Sequence, residues 1–517
     1  MSQTSNDTIL QCFEWYLSED GSFWKKAAAL APSFSSLGIT MVWLPPATKG
    51  QAGIHDVGYG IYDLYDLGEF NQKGTVRTKY GTKQEYLAAV KAMHQNGMKV
   101  LADVVFNQKM GADETEEVEA IEDNPSNREQ DISGTEMITA WTKFTFPGRQ
   151  GKYDPFIWDH TCFNGTDWDE KSHRSSIFRF VGKQWDSEVD PEDGNFDYLM
   201  GCDLDMTDPN VIEELNRWGR WYYDLVHPDG VRLDAVKHIH FDFFRDWLAN
   251  MRSYARKDLF ALGEYWNGDD GRLLHYLDVT NNTMSLFDVP LHYHFYDASH
   301  GWGNYDMGSI WNNTLVQQRP SQAVTFVDNH DTQPGQALQS WIEGWFKPLA
   351  YALILLTDKG IPCVFYGDLY GIPHDGYGPV AELPALIQIR YLLAYGQQTD
   401  YFDDANVVGF IRAGDNDHPD SGIAVVMSDN AGGTKQMYVS KALAGQTMVD
   451  ALGHMHDEVK ISQDGTGTFA CDGGSVSVYI RKDALPLLNQ KASDQSEHNK
   501  TAEAAPSFCG FMTCLRS

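Results

Sequence analysis

The stretch from Gly230 to His238 (Gly-Val-Arg-Leu-Asp-Ala-Val-Lys-His) narrows the fold more than any other part of the chain. It follows the turn signal Pro228-Asp229-Gly230, and Val231, Leu233 and Ala235 alternate with Arg232, Asp234 and Val236 as in a strand. Side chains repeat every second residue along a strand, so Arg232 and Asp234 project to one side. Alone, such a pair is an ordinary salt bridge. Two further apolar runs end the same way: Ala261-Leu262-Gly263-Glu264-Tyr265-Trp266 in one carboxylate, and Phe326-Val327-Asp328-Asn329-His330-Asp331 in two. Carboxylates at the ends of successive strands, with helical patterns between them, are what a (β/α)8 barrel presents at its catalytic face. The fold class expected is therefore α/β, a (β/α)8 TIM barrel.

A chain of 517 residues is long for one domain, and its 42% hydrophobic content is enough to bury large cores. The formal charge of −32 argues against nucleic acid and anionic membrane surfaces as partners, and leaves neutral substrates open. Seven cysteines (Cys12, Cys162, Cys202, Cys363, Cys471, Cys509 and Cys514) are scattered without metal-type pairing, and their odd number argues against a closed disulfide framework. The N-terminal residues show no basic region followed by an apolar run, and no apolar run reaches transmembrane length, so a cytoplasmic monomer is expected.

Strands are expected at Ile9–Tyr16, Thr40–Leu44, Lys99–Phe106, Gly230–Val236, Phe260–Trp266, Ser285–Pro290, Ala323–Asn329 and Ile361–Gly367. Helical patterns separate most of them, notably Lys83–Asn96, Phe243–Ala255 and Trp345–Thr357. Asp208-Pro209 reads as an N-cap followed by proline at the first helical position. Residues 107–207 interrupt the barrel pattern with a run rich in Asp, Gly, Trp and Phe, long enough to be a domain. The expected division is a barrel over 1–106 and 208–398, the insertion at 107–207, a small all-β domain over 399–482, and a disordered tail over 483–517.

Four segments in order, Asp103-Val-Val-Phe-Asn107, Gly230 to His238, Gly263-Glu264-Tyr265-Trp266 and Phe326 to Asp331, resemble the signature regions of the alpha-amylase family. The similarity runs from about Leu10 to Lys482 and points toward the bacterial liquefying and intracellular fungal branches. The resemblance implies that residues 107–207 are the family's domain B. It also implies endo-acting hydrolysis, with retention, of α-1,4 bonds in a neutral glucan such as starch, glycogen or maltooligosaccharides. Retention needs one carboxyl group to attack the anomeric carbon and a second to protonate the leaving oxygen and then activate water. The resemblance makes Asp234 the nucleophile, Glu264 the general acid/base and Asp331 the transition-state stabiliser. Arg232 is expected to keep Asp234 ionised, and an apolar wall from Tyr265 and Trp266 to favour protonated Glu264.

By the same resemblance Tyr59 stacks on a sugar ring, His330 hydrogen-bonds the bound glucosyl unit, and Lys237, His238 and Trp266 line the substrate. A Ca2+ ion is implied at Asn107, Asp197, Asp203 and the backbone carbonyl of His238, a hard-oxygen set of the kind calcium takes. The chain departs from the family twice. Gln108 stands where the family usually has a sugar-contacting histidine, and an amide cannot carry that charge. Asp186 and Asp205 match a second metal cluster of the bacterial relatives, but Asn164 and Thr207 replace two of its carboxylates, so a single calcium is expected. A 4-alpha-glucanotransferase and a non-catalytic glucan-binding protein remain as rivals, since motifs do not distinguish water from a sugar hydroxyl as acceptor. Cys514, four residues from the C-terminus, gives a weak match to a prenylation box with Cys509 as a second lipid position, and Arg516 fits that box poorly.

Overall fold

The computed structural model describes residues 6–488. Eight short strands form a closed parallel barrel: β1 (Ile9–Gln11), β2 (Met41–Trp43), β3 (Lys99–Val104), β4 (Gly230–Leu233), β5 (Phe260–Gly263), β6 (Ser285–Phe287), β7 (Ala323–Phe326) and β8 (Ile361–Phe365). Each pairs with its neighbours in sequence order, and β1 closes on β8 through Ile9 opposite Cys363. Helices follow the strands, among them Phe23–Leu37, Lys83–Gln95, Pro209–Val226, Phe241–Ala255 and Lys347–Leu356. A fully buried Leu, Ile or Val contributes about 1.5–3 kcal/mol. Helix Lys347–Leu356 is buried along almost its whole length, including Leu349, Leu353, Ile354 and Leu355.

The helices Lys83–Gln95 and Pro209–Val226 start where the sequence puts them, whereas the next begins at Phe241, two residues before the expected Phe243, and the last at Lys347, two after Trp345. Thr82 and Glu85 form a reciprocal capping box, and the Asp208 carboxylate accepts from the Asn210 N–H at 2.7 Å ahead of Pro209. Strand ends come earlier than the sequence pattern implies. β4 stops at Leu233 because Ala235 adopts a left-handed conformation (φ 50°, ψ 37°) and opens a 3-10 turn over Val236–His238. That conformation costs an alanine about 1–2 kcal/mol, and such strain collects at functional sites.

Between β3 and the helix Pro209–Val226 the chain builds a separate, largely antiparallel sheet. Its longer strands are Glu114–Asn124, Glu136–Lys143, Phe163–Asp169 and Arg174–Phe180, and Cys202–Leu204 returns beside Gln108–Lys109. After the barrel come a six-stranded sheet and a two-stranded one. In Ile423–Ser428, Ile423, Val425 and Met427 join the main core, whereas Ala424 and Val426 join a second core with Met437 and Phe469. The strand is thus packed on both faces. Regular structure continues past residue 482: Lys482–Ala484 is a 3-10 turn, and Ala484 and Leu488 are buried. The expected disorder from residue 483 therefore does not hold for 483–488, because apolar contacts anchor that segment; Cys509 and Cys514 lie outside the described residues.

A buried ion cluster fixes the loop after β7. Lys347 Nζ lies 2.8 Å from Asp328 and also bonds Asp368, to which Tyr351 donates at 2.6 Å. Burial pushes the Asp328 carboxyl up to about 7, with Lys347 opposing and Asp368 adding to the rise. A carboxyl raised in the folded state stabilises the fold at low pH, and that contribution is lost as pH rises through its folded value. Lys347→Met removes the countercharge and raises the carboxyl further. Chemical denaturation at pH 8 is expected to show a loss of about 3–5 kcal/mol that shrinks on acidification; a loss that is absent, or constant with pH, contradicts this account.

Candidate active site

The strand ends converge on one guanidinium. Arg232 on β4 is in register with Asp103 on β3 and Leu262 on β5, and Glu264 lies two positions past Leu262 on the same side. Arg232 Nη1 donates to Asp103 Oδ1 at 2.9 Å and to Asp234 Oδ1 at 2.6 Å, and Nη2 donates to Glu264 Oε2. The loop backbone reinforces this arrangement: Asp234 N–H bonds the Val104 carbonyl, Glu264 N–H the Leu233 carbonyl, and Ala235 N–H the Glu264 carboxylate at 3.2 Å. Arg232 also lies over the Trp43 ring at 4.9 Å. Its side chain is 1% exposed. Burial opposes its charge, but Asp103, Glu264 and Asp234 hold the guanidinium well above its ordinary value.

Within the same cluster Arg232 favours the ionised form of Asp234, as expected, but burial and neighbouring carboxyls act against it. Burial raises its carboxyl well above the carboxylate range; Arg232 opposes this, while Glu264, Asp103 and Asp331 add to it. One cation shared among several carboxyls does not keep each of them ionised. Asp331 is pushed up to about 7, first by burial and then by the Glu264 charge. Beside Glu264, Tyr265 bonds Asp190 at 2.6 Å, and Trp266 donates to the Tyr293 hydroxyl at 3.1 Å.

Tyr59 and His330 reach the cluster. The Tyr59 hydroxyl donates to Asp103 at 2.9 Å, and its ring stacks on His330 at 5.1 Å. Trp15 lies near-parallel to both rings, at 6.3 Å from Tyr59 and 6.1 Å from His330. His330 is 3.4 Å from Asp331 and shares a 3.0 Å hydrogen bond with Gln11, and burial first, then Arg232, keeps its pKa well below the usual value. Gln108 Nε2 donates to the Tyr59 carbonyl at 3.0 Å, which leaves its buried Oε1 without a partner. Lys237 pairs with Glu192 at 2.8 Å. The His238 side chain faces inward, 5% exposed and bonded to the Phe196 carbonyl at 2.7 Å. Trp266 packs on His292 and Phe326.

Asp103 is the functional residue that motif reading passed over. It accepts from Trp43, Tyr59 and Arg232 together, and its register opposite Arg232 on adjacent parallel strands is the signal that finds it.

The residues expected to hold calcium sit where the long insertion leaves and rejoins the barrel. Leu204 N–H bonds the Asn107 carbonyl at 3.1 Å. Among the described residues, no three His, Cys, Asp or Glu side chains form a ready-made metal cluster; the expected set takes two of its four ligands from an amide and a backbone carbonyl. Its chemistry nonetheless fits a hard cation. Asp197, Asp203 and Asp186 are buried, and burial first raises all three; nearby carboxylates add to the rise, Asp186 acting on Asp197, Asp197 and Asp186 on Asp203, and Asp205 on Asp186. Asn164 donates to Asp197 at 3.2 Å and to Asp203 at 3.4 Å, and buried Asn107 Nδ2 and Asp186 Oδ2 have no hydrogen-bond partner. Asp205 instead meets Lys183 at 2.6 Å and caps Thr207.

Comparison with known proteins agrees with this geometry. The family model for the alpha amylase catalytic domain matches residues 34–378. An alpha-amylase of Geobacillus stearothermophilus is 55% identical over 92% of this chain and 87% of its own length. A glucan 1,4-alpha-maltohexaosidase of Bacillus sp. (strain 707) is 52% identical over 92% and 93%. A cytoplasmic alpha-amylase of Escherichia coli (strain K12) is 44% identical over 93% and 100%. Among solved structures, an Anoxybacillus alpha-amylase superposes with a TM-score of 0.63 at 19% identity, covering 93% of this chain and 98% of that one, a likeness of fold. A model spanning most of the barrel and relatives above half identity leave one assignment: the chain belongs to the alpha-amylase family of glycoside hydrolases.

Proposed function

We propose that the chain is an endo-acting, retaining alpha-amylase that cuts internal α-1,4-glucosidic bonds of starch, glycogen or maltooligosaccharides through a covalent glycosyl-enzyme intermediate. The observation that carries this reading is the guanidinium of Arg232, bonded at once to Asp234 and Glu264. One planar fork spanning both carboxyls favours the separation of retaining enzymes, roughly 5–5.5 Å, over the ~6.5–9.5 Å that leaves room for water in inverting ones. Four carboxyl groups around one buried cation do not all ionise, so the cluster retains a proton near neutral pH. Glycosidic cleavage needs such a mixed state.

Asp234 attacks the anomeric carbon as the proton of Glu264 passes to the leaving oxygen, breaking the glycosidic bond. Glu264 then takes a proton from water, the hydroxide oxygen bonds the anomeric carbon, and Asp234 leaves. Asp331, beside neutral His330, steadies the positive charge that builds on the sugar. Tyr59 and Trp15 offer aromatic planes to the apolar C–H faces of glucosyl rings, and Lys237 and His238 take the leaving-group side. The free Oε1 of Gln108 accepts from a sugar hydroxyl where the family's histidine would donate. The relative named a glucan 1,4-alpha-maltohexaosidase supports an α-1,4-glucan as substrate class. The relative named a cytoplasmic alpha-amylase supports a cytoplasmic location, and no helix among the described residues is long and apolar enough to cross a membrane.

Asn107, Asp197, Asp203 and the His238 carbonyl would hold one Ca2+, which would neutralise buried carboxylates and tie the insertion to the barrel. The Lys183 ammonium on Asp205 supplies positive charge where a second cation would otherwise be needed.

Glu264→Gln keeps the shape of the side chain and loses its proton. Turnover of soluble starch should fall at least ~10²–10⁴-fold with binding retained; a variant keeping a tenth of wild-type rate removes Glu264 from the acid role. Chelation should lower both activity and melting temperature, since binding to the folded state stabilises it. An unchanged melting temperature after verified metal removal counts against a structural calcium.

A further inference from the structure

One buried carboxylate joins the long insertion to the segment that carries Glu264. Asp190, between the strands Arg174–Phe180 and Cys202–Leu204, is 1% exposed. Its Oδ2 accepts from the Tyr265 hydroxyl at 2.6 Å and from the Asn267 amide at 3.4 Å, and its Oδ1 accepts from the Glu192 N–H at 2.9 Å. The backbone of Asp190 is held separately: its N–H donates to the Lys237 carbonyl at 2.9 Å, and its carbonyl accepts from the Phe196 N–H at 2.9 Å. Main-chain bonds therefore fix the loop, and Oδ2 is left to hold Tyr265 and Asn267.

Tyr265 follows Glu264 directly, and both lie beyond Gly263, the last residue of β5. The Tyr265 ring packs against Phe241 at 6.3 Å and Tyr276 at 5.1 Å, and the residue is 1% exposed. A ring packed against two others and bonded at its hydroxyl fixes the backbone one residue from the acid. Burial first, then the bond to Asp190, pushes the hydroxyl far above its ordinary pKa, so it remains the donor. The same carboxylate reaches the leaving-group side: Glu192, whose N–H it accepts, pairs with Lys237 at 2.8 Å. Glu264 and Lys237 thus share one anchor in the insertion. Misplacing a reacting group by about 1 Å lowers the rate roughly 10²-fold, so such an anchor acts on the chemistry through Glu264.

We propose that Asp190 and Tyr265 are a positioning pair that sets the reach of Glu264 to the leaving oxygen. The proposal rests on the acid role given to Glu264 above, and its effect depends on the leaving group. A glucosyl oxygen needs a proton to depart. In α-maltotriosyl fluoride, Asp234 bonds the anomeric carbon as the C–F bond breaks, and fluoride leaves with the electron pair and without a proton from Glu264. Proton donation therefore counts toward kcat/KM for maltopentaose and not for the fluoride.

The test assays the full chain on both substrates. Tyr265→Phe keeps the ring and removes the hydroxyl. It should lower kcat/KM on maltopentaose about tenfold or more, and on the fluoride by no more than about twofold. Asp190→Asn keeps an oxygen that accepts from Tyr265 and should retain most of the maltopentaose rate, whereas Asp190→Ala should match Tyr265→Phe. Equal losses on the two substrates in Tyr265→Phe mean a bond that only supports the fold and overturn the proposal, as does no loss on either. Glu264→Gln is the reference and should lose far more on maltopentaose than on the fluoride. If it does and Tyr265→Phe does not, the positioning pair is wrong and the acid role stands. If Glu264→Gln loses both alike, the acid role falls and the positioning pair with it.

Discussion

One buried cation organises the catalytic end of this barrel. The Arg232 guanidinium is charged at any working pH, and the interior offers it no water, so carboxylates must satisfy it. Asp103, Asp234 and Glu264 do so from three adjacent strands. The cost is electrostatic crowding: the carboxyls repel one another as well as attracting the cation, and burial moves Asp103 and Asp234 toward their protonated forms. In a metabolic enzyme of this class that crowding is useful, because cleavage needs one carboxyl with a proton and another without.

The rest of the fold keeps that cluster in register. Parallel pairing puts Arg232 directly opposite Asp103, and period-two alternation carries Asp234 and Glu264 to the same side. The left-handed turn at Ala235 ends β4 at once and frees Asp234 from the ladder. On the far side, Lys347 clamps Asp328 so that His330 and Asp331 face the guanidinium across the mouth. The long insertion after β3 rejoins the barrel through Asp197 and Asp203, buried carboxylates crowded against one another, which makes its attachment a natural place for a bound cation.

Much of this was legible in the sequence, for identifiable reasons. Barrel strands carry strong alternation and end in turn signals or acids, so all eight appear in order, each reaching one to five residues past its structural end. The overshoot has one cause: apolar residues such as Val236 and Val327 continue the pattern after the backbone has left the ladder. Residues 107–207 gave no barrel periodicity because their strands belong to a different sheet with long-range pairing, such as Ile177 opposite Asp123. The carboxylates themselves were readable, but their protonation was not. Arg232 beside Asp234 reads as a private ion pair, and only the packed structure brings Asp103 and Glu264 onto the same guanidinium.

The central claim is that one guanidinium sets the spacing of Asp234 and Glu264 and thereby the stereochemistry of cleavage. Proton NMR of the first product released from maltopentaose, recorded before the sugar mutarotates, tests this most directly. The account predicts that the new reducing end appears first as the α-anomer, because two displacements at the anomeric carbon restore its configuration. A β-anomer appearing first would mean a single displacement by water, and a pair of carboxyls too far apart for the arrangement described.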